Sequence, residues 1–286
     1  MLRRLLVLPA LAAVVAASAC APADDTGTGA APSASAADCA KDRLPLKTAG
    51  KLTIATDTPA FEPWFKNDDP GNGEGFESAV AYAVAERLGF AKGEVVWTKV
   101  GFEQSYAPGS KDFDFDINQI SVTPEREKAV TFSDGYYTVA QGVVTLGDGK
   151  FAGAATKEQL KDAKIGVQVG TTSLTAVQEQ LEPGEEPRVF NTQIDVINAL
   201  KNKQVDAVVV DLPTAFYVTA AQVEGSKIVG QLPASGEDEK FGLLLEKGSP
   251  LVTCLNQAIG ELKADGSLQK ITDQWLAEAA GAPVLK

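Results

Sequence analysis

Residues 112–137 read DFDFDINQISVTPEREKAVTFSDGYY, and the rest of the chain is organised around them. Apolar and polar residues alternate over 113–120, which predicts a strand. Thr123 and Pro124 then supply a helix N-cap and a first helical residue. The strand is therefore expected to lead directly into the N-terminus of a helix.

Arg126 stands in the first turn of that helix, where a cation is unfavourable because a helix N-terminus already carries partial positive charge. An anionic ligand would resolve this conflict, since backbone N–H groups, the hydroxyls of Ser121 and Thr123 and the guanidinium would all face it. The alternative, from this stretch alone, is a surface arginine paired with Glu125 or Glu127.

The composition narrows the classes of function. The chain has 286 residues and a net charge of −12, and removal of residues 1–19 with their two arginines and no acids leaves −14. Such a protein repels phosphate backbones, so we expect no nucleic-acid partner. It contains no histidine, which excludes a Ser-His-Asp or Cys-His catalytic unit and most zinc sites, and we expect no metal or cofactor.

The N-terminus has the pattern of a secretory signal, in which a basic start precedes the apolar run 5–17 and small residues precede Cys20. We interpret residues 1–19 as a lipoprotein signal peptide and Cys20 as the lipid-anchored residue. The alternative is an ordinary cleavage site followed by a chance cysteine. Residues 20–49 begin with a polar, small-residue segment and are expected to form a flexible tether.

Two further cysteines, Cys39 and Cys254, lie far apart in the sequence. In an oxidising compartment they are expected to pair, and two free thiols are the alternative. Beyond the N-terminal signal, no stretch is long and apolar enough to cross a membrane.

Strand and helix patterns alternate along the rest of the chain, which predicts α/β sheets. Ligands of such sheets bind beyond the carboxyl ends of the strands. Asp57, Ser121, Thr171 and Asp211 all follow predicted strands. Taken singly, Thr171 could serve only as a helix N-cap, and Asp211 could cap the helix after it or contact a ligand.

Marker residues of one known family occur in order over residues 50–277. They are Thr56-Asp57, Gly75-Phe76, Arg87-Leu88-Gly89, Ser121, Thr123-Pro124-Glu125-Arg126, Phe132-Ser133-Asp134, Tyr136-Tyr137, Gly166-Val167, Gly170-Thr171-Thr172, Val205-Asp206-Ala207, Asp211, Asp265-Gly266 and Trp275. In this order and spacing the chain resembles the family 3 extracellular solute-binding proteins, which are the amino-acid receptors of bacterial uptake transporters.

The resemblance implies a class II periplasmic-binding-protein fold, an α/β architecture of two lobes joined by two crossover strands and closing on a ligand. Lobe 1 would comprise residues 50–139 plus 239–286, and lobe 2 would comprise residues 140–238. A Cys39–Cys254 bond would then lie within lobe 1 and would not hinder closure.

The resemblance also implies a receptor for a zwitterion. Arg126 matches the family's carboxylate clamp, which is a bidentate guanidinium contact. Ser121, Thr171 and Thr172 would complete the shells around the carboxylate and ammonium groups. Asp211 matches the ammonium acceptor and would reach the ligand from lobe 2.

Asp57, Phe61 and Phe102 resemble the positions that surround the ligand side chain. Asn118 and Gln119 replace the small residues common before the serine in the family, and Gln168 adds a further amide. Amide groups suit a polar side chain on the ligand. They do not separate glutamine, glutamate or a basic amino acid.

The leading hypothesis is a lipid-anchored, monomeric binding protein at the outer face of the cell membrane that delivers a polar amino acid to an ABC permease and is not an enzyme. One alternative is a ligand-sensing ectodomain that acts in trans. Another is a dehydratase-like or transglycosylase-like enzyme on the same fold, which would need a carboxylate of raised pKa in the cleft, with Glu62 as the only loose candidate.

Overall fold

The structure, a computed structural model, describes residues 39–233, 238–277 and 281–286. Strands and helices alternate along these residues, as predicted. The strands are β1 (Leu52–Thr56), β2 (Val95–Lys99), β3 (Phe115–Asp116), β4 (Val130–Phe132), β5 (Tyr137–Thr138), β6 (Gln141–Leu146), β7 (Ile165–Gln168), β8 (Arg188–Phe190), β9 (Ala207–Asp211), β10 (Ser226–Gln231), β11 (Lys240–Phe241) and β12 (Leu244–Glu246).

Eight α-helices occur in the same described residues, and single π-helical segments extend two of them, at Val177–Leu181 and Val218–Gln222. The α-helices are α1 (Phe76–Arg87), α2 (Phe102–Ser105), α3 (Pro124–Glu127), α4 (Thr172–Ala176), α5 (Gln193–Lys201), α6 (Leu212–Tyr217), α7 (Val252–Ala264) and α8 (Ser267–Leu276).

Lobe 1 is built on a five-stranded sheet with the order β2-β1-β3-β12-β4. β1 pairs in parallel with β2 and β3, and β12 runs antiparallel to β3 and β4. Helices α1, α7 and α8 pack against one another in this lobe, and the largest core cluster joins their apolar residues to those of β1, β3 and β12.

Lobe 2 is built on a second five-stranded sheet with the order β10-β6-β9-β7-β8. Its central strand, β9, pairs in parallel with β7 and antiparallel with β6. Separate apolar clusters contain Val209 and Val208, which are neighbours on β9 and so point to opposite faces of the sheet. Burial on both faces explains why this strand reads as a continuous apolar run.

Strands β5 and β11 pair with each other as a separate two-stranded antiparallel ribbon. Each lies at one of the two places where the chain passes from one sheet to the other. These two passages are the crossover connections implied by the sequence, and they confirm the predicted two-lobe α/β fold.

The helix N-caps that the sequence offered at Thr123 and Thr171 are present, whereas the Asp211 side chain makes no capping hydrogen bond. The hydroxyl groups of Thr123, Thr171 and Thr192 each accept a hydrogen bond from the backbone N–H three residues later, at the starts of α3, α4 and α5. These bonds satisfy N–H groups that a helix leaves free at its first turn. Both strand-to-helix junctions at the cleft are thereby fixed by neighbouring residues in the chain.

The disulfide prediction is confirmed, because Cys39 and Cys254 are bonded and tie the N-terminal segment to α7. The predicted flexible tether, which extended to residue 49, was too long, because this bond already fixes the chain at Cys39. Leu44 is buried in the lobe 1 core, and the backbone N–H of Lys47 donates to Asp114. The segment 39–49 is therefore part of the folded lobe, whereas the predicted signal peptide, Cys20 and the tether up to residue 38 lie outside the described residues.

The C-terminal residues belong to a different lobe from the one predicted. Residues 281–286 were predicted in lobe 1, but Val284 pairs with Gln231 beside β10 and Leu285 is buried in the core of lobe 2. Burial of one leucine and several backbone hydrogen bonds hold this tail on the second sheet.

The strand predicted over 113–120 was too long, since β3 contains only Phe115 and Asp116. Gln119 has a left-handed backbone with φ of 49°, which no extended strand accommodates. The pairing ends just before this residue, and the chain turns there toward the cleft.

Candidate functional site

A narrow cavity of about 50 Å³ lies between the two lobes. The segments that follow β1 and β3 border it from lobe 1, and those that follow β7 and β9 border it from lobe 2, so it lies at the carboxyl ends of strands in both sheets. Its lining residues are Asp57, Phe61, Phe102, Asn118, Gln119, Arg126, Gln168, Thr171, Thr172, Ser173, Gln193, Val196, Val209, Val210 and Asp211.

Arg126 enters this cavity from the first turn of α3, and its side chain is only 8 % exposed. Nη1 donates to the backbone carbonyl of Ser121 at 2.7 Å, and Nη2 donates to the carbonyl of Gly170 at 2.9 Å. One bond stays within lobe 1 and the other reaches lobe 2. A guanidinium has five N–H groups, so donors remain for a ligand carboxylate.

Two aromatic rings hold the guanidinium in place. Its Cζ lies 5.4 Å from the ring centroid of Phe102 and 4.9 Å from that of Tyr106. Burial lowers the pKa of Arg126, and the charges of Tyr106, Glu239 and Asp211 act in the opposite direction. An arginine keeps its proton under such conditions, so a fixed cation faces the cavity.

Asp211 ends β9 on the opposite side of the cavity, and its carboxylate Oδ1 accepts a hydrogen bond from Gln141 Nε2 at 2.9 Å. Burial raises the pKa of Asp211, and the nearby charge of Glu239 raises it further. A cation bound at this place would favour the charged carboxylate. The arrangement therefore suits an ammonium group.

The remaining part of the cavity presents a carboxylate and several amides. Backbone N–H groups of Thr58 and Phe102 donate to Asp57, while burial raises the pKa of this carboxyl group. Asn118 is buried, and within the described residues its Nδ2 has no hydrogen-bond partner. A buried amide donor of this kind is costly unless a ligand or water accepts from it.

Gln119 is held from behind by a buried acid. Glu77 on α1 is fully buried and accepts hydrogen bonds from the backbone and side-chain nitrogens of Gln119 and from the hydroxyl of Tyr136. Burial raises the pKa of Glu77 to about 7. These bonds fix the left-handed backbone that turns Gln119 toward the cavity.

The family model described as bacterial extracellular solute-binding proteins, family 3, matches residues 52–278. The chain belongs to this family. Membership in a family of extracellular proteins indicates a location outside the cytoplasm.

Individual relatives of this solute-binding protein are named for different ligands. It is 26% identical over 230 residues to the arginine-binding extracellular protein ArtP of Bacillus subtilis, covering 79% of this chain and 87% of the relative. It is 27% identical over 279 residues to the ABC transporter glutamine-binding protein GlnH of the same organism, covering 96% of both.

Among solved structures, an ancestral arginine-binding protein bound to arginine superposes with a TM-score of 0.66 at 33% identity, covering 79% of this chain and 98% of that one. These three relatives are named as binding proteins and not as enzymes.

The solute-binding fold brings the predicted contact residues together. Asp57, Phe61, Phe102, Gln119, Arg126, Thr171, Thr172 and Asp211 all line the cavity. Ser121 lies just behind the lining, where its carbonyl accepts from Arg126 and its hydroxyl is 3.4 Å from the Thr172 hydroxyl. Glu62, the loose candidate for a catalytic acid, is not among the lining residues.

Sequence reasoning missed Glu77, Gln141, Gln193 and Glu239. Gln141 lies opposite Asp211 only through the antiparallel register of β6 and β9, which the sequence pattern does not show. Glu239 likewise had no sequence signal, since its partners are 118 and 98 residues away in the sequence. Among the described residues no helix has the length and apolar character to span a membrane, and no cluster of metal-ligating side chains occurs.

Proposed function

We propose that this protein captures a free polar amino acid between its lobes and delivers it to an ABC permease without transforming it. Arg126 and Asp211, which face one cavity from different lobes, are the observation that carries this proposal. A free amino acid has one carboxylate and one ammonium group, and these two residues offer a partner for each. A ligand that touches both lobes binds the closed form preferentially and so drives closure.

The finer assignments follow from this role. Ser121, Thr171 and Thr172 would complete the shell around the backbone groups of the ligand, and the side chain would lie among Asp57, the aromatic rings and the amides. The names of the relatives include arginine-binding and glutamine-binding proteins, which supports a polar side chain as the common feature.

We also propose the cellular arrangement implied by the N-terminal sequence. Residues 1–19 would be removed, Cys20 would carry lipid, and the monomeric binding lobes would stand on a tether that ends at Cys39. Lobe 1 would comprise residues 39–139 and 238–277, and lobe 2 would comprise residues 140–233 together with the tail 281–286.

A thermal-shift screen against the twenty amino acids tests the ligand class, because a ligand that binds only the native state raises the melting temperature. We expect one or a few polar amino acids to give a clear shift. Their N-acetyl derivatives and methyl esters serve as controls, since each removes one charge that the cleft is proposed to hold. No shift with any free amino acid, or an undiminished shift with both derivatives, would contradict the proposal.

A further inference from the structure

A hydrogen-bonded network of side chains lies behind Asp211, outside the contacts predicted for the ligand. Ser173 Oγ donates to Gln141 Oε1 at 2.6 Å, which turns the amide nitrogen of Gln141 toward two carboxylates. Gln141 Nε2 donates to Asp211 Oδ1 at 2.9 Å and lies 3.2 Å from Glu239 Oε2. One buried amide therefore bridges an acid of lobe 2 and an acid that immediately precedes the second crossover strand, β11.

Glu239 also fixes the direction in which the Ser121 hydroxyl group donates its proton. Ser121 Oγ donates to Glu239 Oε1 at 2.5 Å, and this bond uses the only proton of the hydroxyl group. Thr172 Oγ1 lies 3.4 Å from Ser121 Oγ. With its proton committed to Glu239, Ser121 Oγ can only accept hydrogen bonds from any other group.

Acceptors without donors match one end of an amino acid and not the other. An ammonium group carries three N–H donors and no acceptor, whereas a carboxylate has only acceptors. Ser121 Oγ and the Asp211 carboxylate thus offer acceptors to an ammonium group and repel a carboxylate. Arg126, which lines the same cavity, offers only donors.

We propose that Glu239 is a positioning residue for the ammonium group of the ligand. Its carboxylate takes the proton of the Ser121 hydroxyl and shares the Gln141 amide with Asp211, so that both Ser121 and Asp211 present acceptors to the cleft. This inference rests on the proposed amino-acid-binding function and assigns the polarity of one half of that site to a residue that does not line the cavity.

The charges around Asp211 give the proposal a distinctive pH dependence. The charged groups that act on Asp211 are Glu239 before β11, Glu77 on α1 and Arg126 on α3, and burial, with a further contribution from the charge of Asp211, raises the pKa values of Tyr136 and Tyr137. Burial and the charge of Glu239 raise the pKa of Asp211 in the ligand-free protein. Because an ammonium group requires the charged carboxylate, affinity should fall as the pH falls through this raised pKa.

Calorimetry with L-arginine and L-glutamine as probes, from about pH 5 to about pH 8, tests the assignment in Glu239→Gln. Removal of the charge should weaken binding roughly tenfold at the upper end of this range, because the single acceptor oxygen of glutamine cannot take the place of both carboxylate oxygens toward the Ser121 hydroxyl and the Gln141 amide. It should also lower the pKa of Asp211, so that the acidic loss of affinity begins at a lower pH than in the wild-type protein.

Three further variants separate positioning from general effects. Asp238→Asn makes the same change of charge at the neighbouring exposed residue and should leave affinity and pH profile unchanged. Glu239→Asp keeps the charge and should restore most of the wild-type pH profile. In a Ser121→Ala background, Glu239→Gln should cost less than in the wild type, since residues that act through each other are not additive.

The outcomes distinguish a failure of the proposed amino-acid-binding function from a failure of the role of Glu239. If the wild-type protein bound neither probe nor any other amino acid, the proposed function would be wrong and the ammonium role of Glu239 with it. If the wild-type protein bound but Glu239→Gln matched its affinity and pH profile, only the role of Glu239 would be overturned. A weaker affinity with an unshifted pH profile would also overturn it, because a merely structural role predicts that result.

Discussion

At the scale of single residues, Arg126 joins three kinds of interaction. It donates to a carbonyl in each lobe, it lies against two aromatic rings, and it places a fixed cation in the cavity. Its position in the first turn of α3 is unfavourable in an isolated helix, but here the carbonyls of Ser121 and Gly170 supply negative partners, and the proposed ligand carboxylate would add another.

Arg126→Ala should therefore strongly weaken binding of the amino acid identified by the screen. Loss of a charged, desolvated contact costs at least ~2 kcal/mol, which is roughly a thirtyfold loss of affinity. Isothermal titration calorimetry measures this loss. Arg188→Ala, which removes an exposed arginine whose Nη1 contacts the Gln204 carbonyl, is the matched control and should bind normally. Unchanged affinity in Arg126→Ala would refute the carboxylate clamp.

At the scale of elements, the turn between β7 and α4 is the part of lobe 2 that approaches lobe 1 through its backbone. Gly170 lies there with φ of +71°, and its carbonyl accepts from Arg126 Nη2. A Cβ atom at this position would lie 2.3 Å from the Tyr106 hydroxyl oxygen. The glycine is thus needed both for the left-handed turn and for the close approach of the lobes.

Gly170→Ala should impair ligand binding more than folding. Alanine in this backbone conformation costs about 1 kcal/mol, and the displaced Tyr106 ring would no longer hold Arg126, so we expect affinity to fall roughly tenfold. Gly153→Ala is the control in the same lobe, because a Cβ atom there meets nothing within 4 Å. Titration calorimetry and thermal melting of both variants check the prediction, and equal affinity in the two would argue against a close approach at Gly170.

At the scale of the whole molecule, the lobes are joined by side-chain contacts as well as by the crossover strands. Trp64 is fully buried in the lobe 1 core against Phe76 and Phe241, and its Nε1 donates to Thr214 Oγ1 on α6 at 2.9 Å. This bond connects the core of one lobe to a helix of the other. Together with the Arg126–Gly170 bond, it joins the two lobes in this conformation.

Thr214→Val keeps the shape of the side chain and removes the acceptor for Trp64. A buried donor without a partner costs about 1–3 kcal/mol, and this cost should act on the closed form that the ligand selects. We expect a lower affinity and a smaller ligand-induced rise in melting temperature.

Thr219→Val provides the control for that prediction, because the Thr219 hydroxyl donates to carbonyls of its own helical segment. Calorimetry and thermal melting with and without ligand distinguish the outcomes. If Thr214→Val lowered the melting temperature equally in both conditions, the bond would be present in both conformations and would not report closure.

The sequence by itself determined the features that depend on neighbouring residues. The threonine caps, the alternation of strands and helices, the buried strand that ends at Asp211 and the placement of polar residues at strand ends were all predictable, because capping and periodicity act over a few residues. The family markers extended these local signals to the two-lobe fold and to the residues that meet in the cleft.

Only the tertiary structure decided the contacts that join distant segments. Glu239 reaches Ser121, Gln141 reaches Asp211, and Glu77 holds Gln119, although each pair is separated by at least 42 residues. The segment 39–49 and the C-terminal tail likewise joined cores that their own composition did not indicate. Such pairings depend on which strands lie side by side and which groups are buried together, and no local pattern of residues encodes that information.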